Sequence, residues 1–355
     1  MGHGAASLEV SAAIAALVVA TAISVAIIIA IRPWLKRIAL AKPNARSSHS
    51  VPTPQGGGLA VIAATIIAAA AALSVSASAA AVASLMPLII AVIVIASVGA
   101  ADDIRPIGVG PRFLLQTFSV ALVILTLPDE LRVAPFMPVW IERLFLVLGG
   151  LWFVNLVNFM DGLDWMTVAE VVPVTAALAI FGAFGFLPAM QAIISLALCG
   201  AMIGFAYFNR PVAGLFLGDV GSLPIGLLLG WLLMQLAGRG ALATAILLPL
   251  YYLADSTITL ARRLFAGEKV WQAHRSHFYQ RATDRGFTVS QVVACVFAVN
   301  IALAALAFVT LAAPGLLSET AALVCGAALV GWLLLGFARG KGVTLRGVRL
   351  PIWPK

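Results

Sequence analysis

Five aspartates carry the strongest chemical signal in this sequence. Asp102 and Asp103 are adjacent, Asp161 and Asp164 are three residues apart, and Asp219 stands alone farther along the chain. Adjacent carboxylates repel each other and resist burial, so an isolated acidic pair would most simply mark a solvated helix end. Several carboxylates that lie close to the same side of a membrane instead suit a hard divalent cation. Mg²⁺ is usually held by one or two carboxylates together with substrate phosphates. The aspartates therefore predict a Mg²⁺ site, with Mn²⁺ as the alternative.

Glycines accompany these acids in two segments. Gly56, Gly57 and Gly58 form a run in which the backbone can approach a ligand closely. The segment Gly-Asp-Val-Gly-Ser at 218–222 enters an apolar helix, so its backbone amides are placed to face an anion at the helix N-terminus. A glycine run alone usually marks a turn. Combined with carboxylates and basic loops, the glycines predict phosphate chemistry supported by Mg²⁺.

A histidine pair forms the third chemical signal. His274 and His277 are three residues apart, with Arg275 between them, and residues at that spacing share one face of a helix. Two histidines can bind zinc, but no third ligand of the usual kind is close in the sequence. Hydrogen bonding to a diphosphate or sugar fits this group better, and a solvated basic loop is the simpler alternative.

The elements that must position these residues are membrane-spanning helices. Hydrophobic residues make up 62% of the 355 residues and charged residues 10%, against about 45–50% and about 25% in ordinary soluble domains. These figures exclude a soluble domain, a disordered chain and a disulfide-rich scaffold. The long continuous apolar runs do not suit the alternating strands of a membrane β-barrel.

Apolar runs of about 20 residues, the length that crosses a bilayer, predict an all-α bundle of eleven transmembrane helices in a single domain, residues 1–355. The predicted spans are Val10–Ile31, two within Leu59–Ala101 with a turn in Ser74–Ser84, Phe113–Pro128, Leu144–Val157, two within Val171–Asn209 with a break near Gly185–Pro188, Val220–Gly238, Gly240–Leu260, Val289–Leu311 and Ala321–Ala338.

The basic residues predict the orientation of the bundle. Alternating the spans across the membrane places 19 of the 22 Lys and Arg residues on one side, which the positive-inside rule assigns to the cytoplasm. The N-terminus is then outside and the C-terminus cytoplasmic, and the net charge of +8 requires no nucleic-acid partner. The chemical motifs fall in the cytoplasmic loops, which lie near residues 32–58, 102–112, 158–168, 209–222 and 261–288.

The sequence contains five motifs that resemble, in type and in order along the chain, those of the polyprenyl-phosphate N-acetylhexosamine-1-phosphate transferase family. This family belongs to glycosyltransferase family 4 and includes the phospho-MurNAc-pentapeptide translocase. The resemblance covers Pro43 to about Arg285, and the His-Arg-Ser-His and Pro-Thr-Pro-Gln-Gly-Gly-Gly motifs are more similar to the glycan-initiating branch. Trp165 and Met166, like Gln55, depart from residues common in the family, which bears on the choice of sugar. The motifs occupy residues 43–49 with 52–58, 102–103, 158–164, 216–222 and 274–277.

This resemblance implies transfer of a HexNAc-1-phosphate, from UDP-GlcNAc or a related 6-deoxy UDP-sugar, to undecaprenyl phosphate in the bacterial inner membrane. UMP would be released, and a lipid-linked polysaccharide such as O-antigen would be started at the cytoplasmic face. Asp219 would be the principal Mg²⁺ ligand, Asp102 and Asp103 would bind the metal or activate the acceptor, and His277 would act at the diphosphate or sugar. The remaining substrate contacts implied are Gln55, Asn158, Asp161, Asp164, His274 and Arg275.

Two readings from other classes stay open. A secondary transporter with an acidic ion-coupling site predicts polar groups near the middle of the membrane and a repeat symmetry, whereas the motifs collect at one interface. A non-catalytic scaffold leaves five separate motifs unexplained. The choice of sugar, the pathway and the oligomeric state stay open at this point, and a homodimer is one of the possible states.

Overall fold

A computed structural model describes residues 3–41, 52–270, 274–341, 343–345 and 348–350 of the chain. The motif residues 42–51, with His49 among them, lie outside these ranges. In the described part the helices are α1 (His3–Ile38), α2 (Gly58–Ser76), α3 (Ala79–Ala83), α4 (Met86–Ile104), α5 (Val109–Leu125), α6 (Val139–Met160), α7 (Met166–Ala183), α8 (Ala189–Ala206), α9 (Asp219–Ala237), α10 (Leu242–Leu247), α11 (Leu250–Phe265), α12 (Phe278–Asp284), α13 (Val289–Ala312) and α14 (Leu316–Arg339). The strands are β1 (Leu40–Ala41), β2 (Thr53–Pro54), β3 (Val343–Leu345) and β4 (Val348–Leu350).

Nine helical segments of the described residues are long and apolar enough to cross a membrane, with α3 and α4 together counted as one. They correspond to nine of the predicted spans. The predicted turn range Ser74–Ser84 contains the end of α2 at Ser76 and the short helix α3, and the predicted break near Gly185–Pro188 lies between α7 and α8. An all-α, multi-spanning membrane protein is therefore confirmed, while the total of eleven spans and the orientation of the termini stay predictions.

The other two predicted spans look different in the structure. α5 is a shorter apolar helix of 17 residues. The predicted single span Gly240–Leu260 is two helices, α10 and α11, because Pro249 stands at the start of α11. Proline has no amide hydrogen to donate and its ring clashes with the preceding turn, so a helix is interrupted there.

Helix α9 is the central helix of the bundle. Sixteen of its 19 residues are buried, and α2, α4, α6 and α10 pack around it. Glycines allow the closest approaches at its first turn. A Cβ added at Gly58 would lie 2.1 Å from the Cα of Gly221, and one added at Gly99 would lie 2.3 Å from the carbonyl oxygen of Asp219. α2 and α4 therefore hold the N-terminus of α9 at backbone contact.

Backbone pairing joins the loops of the first and fourth motifs. Gln55 forms a parallel bridge with Phe216. The amides of Gly57 and Gly58 donate to the carbonyl oxygens of Phe216 and Leu217 at 2.9 and 2.8 Å, and β1 pairs antiparallel with β2 just before them. The chain entering α2 is thus fixed against the chain entering α9, two loops that are far apart in sequence.

We expect Gly58→Ala to destabilise the protein by about 3 kcal/mol or more, the upper part of the range for overpacked cores, because the new methyl would overlap the Gly221 backbone. Gly149→Ala, on α6, is the matched control, since nothing lies within 4 Å of its added methyl. Thermal unfolding in detergent measures both. Equal midpoints for the two variants would show that the α2–α9 contact is looser than described.

Candidate active site

Asp219, the first residue of α9, is the centre of the candidate site. Its Oδ1 accepts a hydrogen bond from Asn158 Nδ2 at 2.7 Å, and its Oδ2 accepts one from Arg112 Nη1 at 3.3 Å. Asn158 also donates to the Ser222 hydroxyl at 2.9 Å. The third and fourth sequence motifs therefore meet at one carboxylate, which remains about a quarter exposed.

Arg112 links a second aspartate to this centre. The same Nη1 atom lies 2.8 Å from Asp102 Oδ2, while Asp102 Oδ1 accepts from the amide of Ile107 at 2.6 Å. Two carboxylates from different helices thus share a single guanidinium. Sequence reasoning missed Arg112, because one arginine in a set of basic loops has no local feature that distinguishes it.

The carboxylate of Asp103 accepts hydrogen bonds from different donors than the carboxylate of Asp102. It accepts from the backbone amides of Asp219 and Val220 at 3.0 and 3.1 Å. Carboxylates are favoured at this position by the unpaired amides and the dipole of a helix N-terminus. The anion expected at the start of α9 is therefore, in this structure, a side chain of the protein itself. Gly218 makes the approach feasible, since its φ is +77° and a Cβ there would lie 2.4 Å from Asp103 Oδ2.

A polar cavity of about 280 Å³ opens beside Asp219. Sequence reasoning missed two of its carboxamides, those of Asn209 and Gln280. Six of the predicted site residues do line it: Gln55, Asp103, Asn158, Asp161, Asp164 and Asp219. The arrangement suits a ligand rich in hydroxyl and amide groups.

The two acids of the third motif are held by different neighbours. Thr167 donates its hydroxyl to Asp161, and the amide of Ala213 donates to Asp164 Oδ2 at 3.0 Å. Burial raises the pKa of the Asp161 carboxyl to about 8, against the lowering effect of the Thr167 hydrogen bond. Near neutral pH this carboxyl can therefore carry a proton and donate a hydrogen bond in the absence of a nearby cation.

His277 is buried behind the cavity, with only 2% of its surface exposed. Its ring lies between those of His274 and Tyr279, at centroid distances of 4.9 and 5.7 Å, and its Nδ1 lies 3.2 Å from Asp255 Oδ1. The Tyr279 hydroxyl donates to the carbonyl oxygen of Phe159 at 3.0 Å, which ties this segment to the third motif. His274, Arg275 and His277 are not among the residues that line the polar cavity, whereas Gln280 on α12 is.

Asp255 is another residue that sequence reasoning left out of the site. It is fully buried, and besides contacting His277 it accepts from the amides of Phe278 and Tyr279 at 3.0 and 3.1 Å. It therefore holds the N-terminus of α12 and the imidazole together.

Arg275 has acidic and hydroxyl partners on its own segment. Its Nη2 lies 3.0 Å from Asp284 Oδ1 and 3.3 Å from the Thr283 hydroxyl, and the guanidinium keeps about a quarter of its surface exposed. A substrate phosphate would have to compete with, or add to, the ion pair with Asp284. The predicted contact between Arg275 and substrate stays a prediction.

We expect Asp255→Asn to reduce kcat/KM by about 10-fold and to lower the unfolding midpoint, since a buried, charge-assisted hydrogen bond contributes about 1.5–3 kcal/mol. Glu268→Gln is the control, because this acid lies just beyond α11 and is more than half exposed. Kinetics and thermal unfolding of both variants measure the effect. Wild-type kinetics in Asp255→Asn would mean that the position of His277 does not depend on this carboxylate.

The donor set fits Mg²⁺ at one point of the site. In the part of the chain that the structure describes, no group of three or more His, Cys, Asp or Glu side chains is suited to a metal. Asp102 and Asp219, however, present hard carboxylate oxygens to a common cation, Arg112. One or two carboxylates suffice for Mg²⁺ when substrate phosphates complete its shell. Asp103 is less suited, since its carboxylate is already engaged by two backbone amides.

A second cavity, here called the apolar groove, has a volume of about 370 Å³ and lies between α5, α6 and α11. Phe113 and Leu148, on its walls, are each at least half exposed, so the groove reaches the apolar outer surface of the bundle. Arg112 is one of its lining residues. The guanidinium that Asp102 and Asp219 share therefore lies at the wall of the apolar groove.

Comparison with known proteins gives consistent similarities. Residues 85–237 match the model of glycosyl transferase family 4. The decaprenyl-phosphate N-acetylglucosaminephosphotransferase of Mycobacterium leprae (strain TN) is 27% identical over 295 residues, which cover 73% of this chain and 73% of that protein. The probable undecaprenyl-phosphate N-acetylglucosaminyl 1-phosphate transferase of Bacillus subtilis (strain 168) is 24% identical over 299 residues, covering 80% and 82%.

A relative with a different sugar in its name also matches. The phospho-N-acetylmuramoyl-pentapeptide-transferase of Leuconostoc citreum (strain KM20) is 27% identical over 200 residues, covering 52% of this chain and 62% of that protein. The segment matched by the family model contains Asp102, Arg112 and Asp219 together with the third motif. It excludes His274, Arg275 and His277.

Proposed function

This chain belongs to glycosyl transferase family 4 and is a glycosyl-1-phosphate transferase, and we propose that it transfers a HexNAc-1-phosphate from a UDP-sugar to undecaprenyl phosphate. UMP and a lipid-linked diphosphate sugar are the products. The family that the motifs predicted is confirmed. Two of the relatives are named for a polyprenyl phosphate and for N-acetylglucosamine, which supports both the acceptor and a HexNAc donor.

One observation carries this proposal: Arg112 and Asp219 stand where the polar cavity and the apolar groove meet. Asp219 lines the cavity, Arg112 lines the groove, and the two side chains are 3.3 Å apart. A reaction between a water-soluble nucleotide sugar and a lipid phosphate needs such a junction. The polar donor must stay in an aqueous cavity and the lipid chain in an apolar environment while the two phosphates come into contact. Proximity of this kind accounts for a large part of the rate of a two-substrate reaction.

The polar cavity is the proposed donor site. Its carboxylate and carboxamide walls, among them Gln55, Asn158 and Asp161, accept hydrogen bonds from sugar and ribose hydroxyls and from a base amide. His274, Arg275 and His277, which precede α12, are proposed to contact the diphosphate or sugar from the side of that helix.

The apolar groove is the proposed acceptor site. Its walls suit isoprene units, and Arg112 in its lining suits a phosphate, which a guanidinium can bind through two hydrogen bonds. The acceptor phosphate is largely ionised near pH 7, since a second phosphate pKa is about 6. Its oxygen can therefore attack the sugar-linked phosphorus of the donor without a strong base, while the bond from that phosphorus to the UMP oxygen breaks.

Asp102 and Asp219 are the proposed Mg²⁺ ligands. When bound, Mg²⁺ would supply charge neutralisation between two anionic substrates. In this assignment Asp103 has a positioning role, because it fixes the first turn of α9 and with it the backbone of Asp219. Mn²⁺ is the alternative ion.

The proposed setting is the cytoplasmic face of a bacterial inner membrane. The excess of basic residues on one side of the predicted spans supports that face. The proposed sugar is GlcNAc or a related 6-deoxy-HexNAc, and the product would start a lipid-linked cell-envelope polysaccharide such as O-antigen.

The test is a transfer assay with purified protein, undecaprenyl phosphate and a panel of UDP-HexNAc donors, with and without Mg²⁺. We expect stoichiometric UMP and lipid-linked diphosphate sugar, dependent on Mg²⁺ and undiminished by a zinc-selective chelator. Release of UDP in place of UMP, or the absence of any lipid product with every donor, would exclude the proposed reaction.

A further inference from the structure

A buried polar pair lies in the apolar groove, one helical turn from Arg112. Gln116, on α5, is 1% exposed, and its Oε1 accepts a hydrogen bond from Asn155 Nδ2 on α6 at 3.0 Å. Both residues line the groove. A glutamine among phenylalanine, leucine and tryptophan side chains is costly to bury unless its donors are satisfied.

The orientation of this pair leaves one donor unused. Asn155 Nδ2 also donates to the carbonyl oxygen of Leu151 at 2.8 Å, which fixes the direction of its amide. Gln116 must therefore present its oxygen to Asn155, and its Nε2 faces away. That Nε2 atom is buried and has no hydrogen-bond partner among the described residues.

The position of Gln116 indicates what this donor meets. Arg112 and Gln116 are four residues apart on α5, so their side chains share one face of the helix, and both line the groove. A phosphate bound by Arg112 would lie on the face of α5 that also carries Gln116. A neutral donor there adds a hydrogen bond without adding charge to a groove that must also accept hydrocarbon.

We propose that Gln116 is an acceptor-binding residue whose Nε2 donates to a phosphate oxygen of the polyprenyl phosphate, with Asn155 as the positioning residue that sets its orientation. This inference rests on the proposed function. It assigns recognition of the phosphate end of the lipid to two neighbouring residues of α5, one charged and one neutral.

Gln116→Met tests the assignment, because methionine keeps the length of the side chain and removes both polar atoms. We expect the KM for undecaprenyl phosphate to rise about 10-fold, the size of one hydrogen bond to a charged group, with the KM for the UDP-sugar unchanged. Polyprenol, which has no phosphate, should inhibit the variant and the wild type with the same Ki. Gln116→Asn, which keeps the amide but is one methylene shorter, should change the acceptor KM in the same direction, and it serves alone if the Met variant does not fold.

Gln191→Met is the matched control. Gln191 is also a buried helical glutamine paired with another amide, that of Gln235 at 3.4 Å, but it lies in neither the apolar groove nor the polar cavity. An acceptor KM within about 2-fold of wild type in Gln116→Met would overturn the assignment, and so would an equal rise in the Ki of polyprenol. Wild-type protein that transfers nothing to undecaprenyl phosphate would instead refute the proposed function.

Discussion

Asp219→Asn is expected to lower turnover by more than about 100-fold. Mutation of a residue that only hydrogen-bonds to a metal ligand already lowers metal affinity or activity about 10- to 100-fold, and loss of a ligand itself should cost more. The carboxylate accepts hydrogen bonds from Asn158 and Arg112 and, under the proposed function, binds Mg²⁺. Asparagine keeps one oxygen but loses the charge that favours a hard cation. Turnover should be measured over a range of Mg²⁺ concentrations, with thermal unfolding as the check on folding.

Asp129→Asn is the control for this variant. Asp129 follows the opposite end of α5, and its side chain is 87% exposed, so wild-type turnover is expected. If Asp219→Asn is active within about 2-fold of wild type at limiting Mg²⁺, the central role of this carboxylate is wrong.

Arg112→Met is expected to lower kcat/KM for undecaprenyl phosphate by about 10- to 150-fold, the range for losing charge-assisted hydrogen bonds to a phosphate. The guanidinium now bridges Asp102 and Asp219, so its removal also leaves two carboxylates facing each other without a protein cation. Arg112→Lys should recover part of the loss, since lysine keeps the charge but not the planar pair of donors. Steady-state kinetics with each substrate varied in turn measure the effect.

Arg105→Met is the matched control, because Arg105 lies in the loop that leads into α5 and is exposed. The KM for the UDP-sugar should change less in Arg112→Met than the KM for the lipid. An equal loss toward both substrates, or an equal loss in Arg105→Met, would contradict a specific contact between Arg112 and the acceptor phosphate.

Most of the helices and most of the candidate site residues could be predicted from the sequence, because the length of an apolar run and a short motif can both be recognised within a short stretch of chain. Asp219, Asn158, Asp161 and Asp164 were predicted from short motifs, and the structure gathers them around one cavity. The segment that matches the model of glycosyl transferase family 4 includes these residues.

The residues missed by sequence reasoning depend on contacts between distant helices. Arg112 acquires its position only because α5 brings it to the start of α9, and Asp255 only because α11 meets α12. Nothing in the neighbouring sequence distinguishes Asp103, which caps α9, from Asp102, which faces Arg112. The division of residues 240–260 into two helices follows from Pro249. A prediction based only on the length of the apolar run does not take this proline into account.

The most direct test of the proposed function follows two labels in one donor. UDP-GlcNAc carrying one isotope in the sugar and another in the sugar-linked phosphate is incubated with purified protein, undecaprenyl phosphate and Mg²⁺, and the lipid fraction is analysed. We predict that both labels enter the lipid in a one-to-one ratio and that unlabelled UMP is released. Sugar label in the lipid without the phosphate label, with UDP as the product, would show simple glycosyl transfer and contradict the proposed reaction.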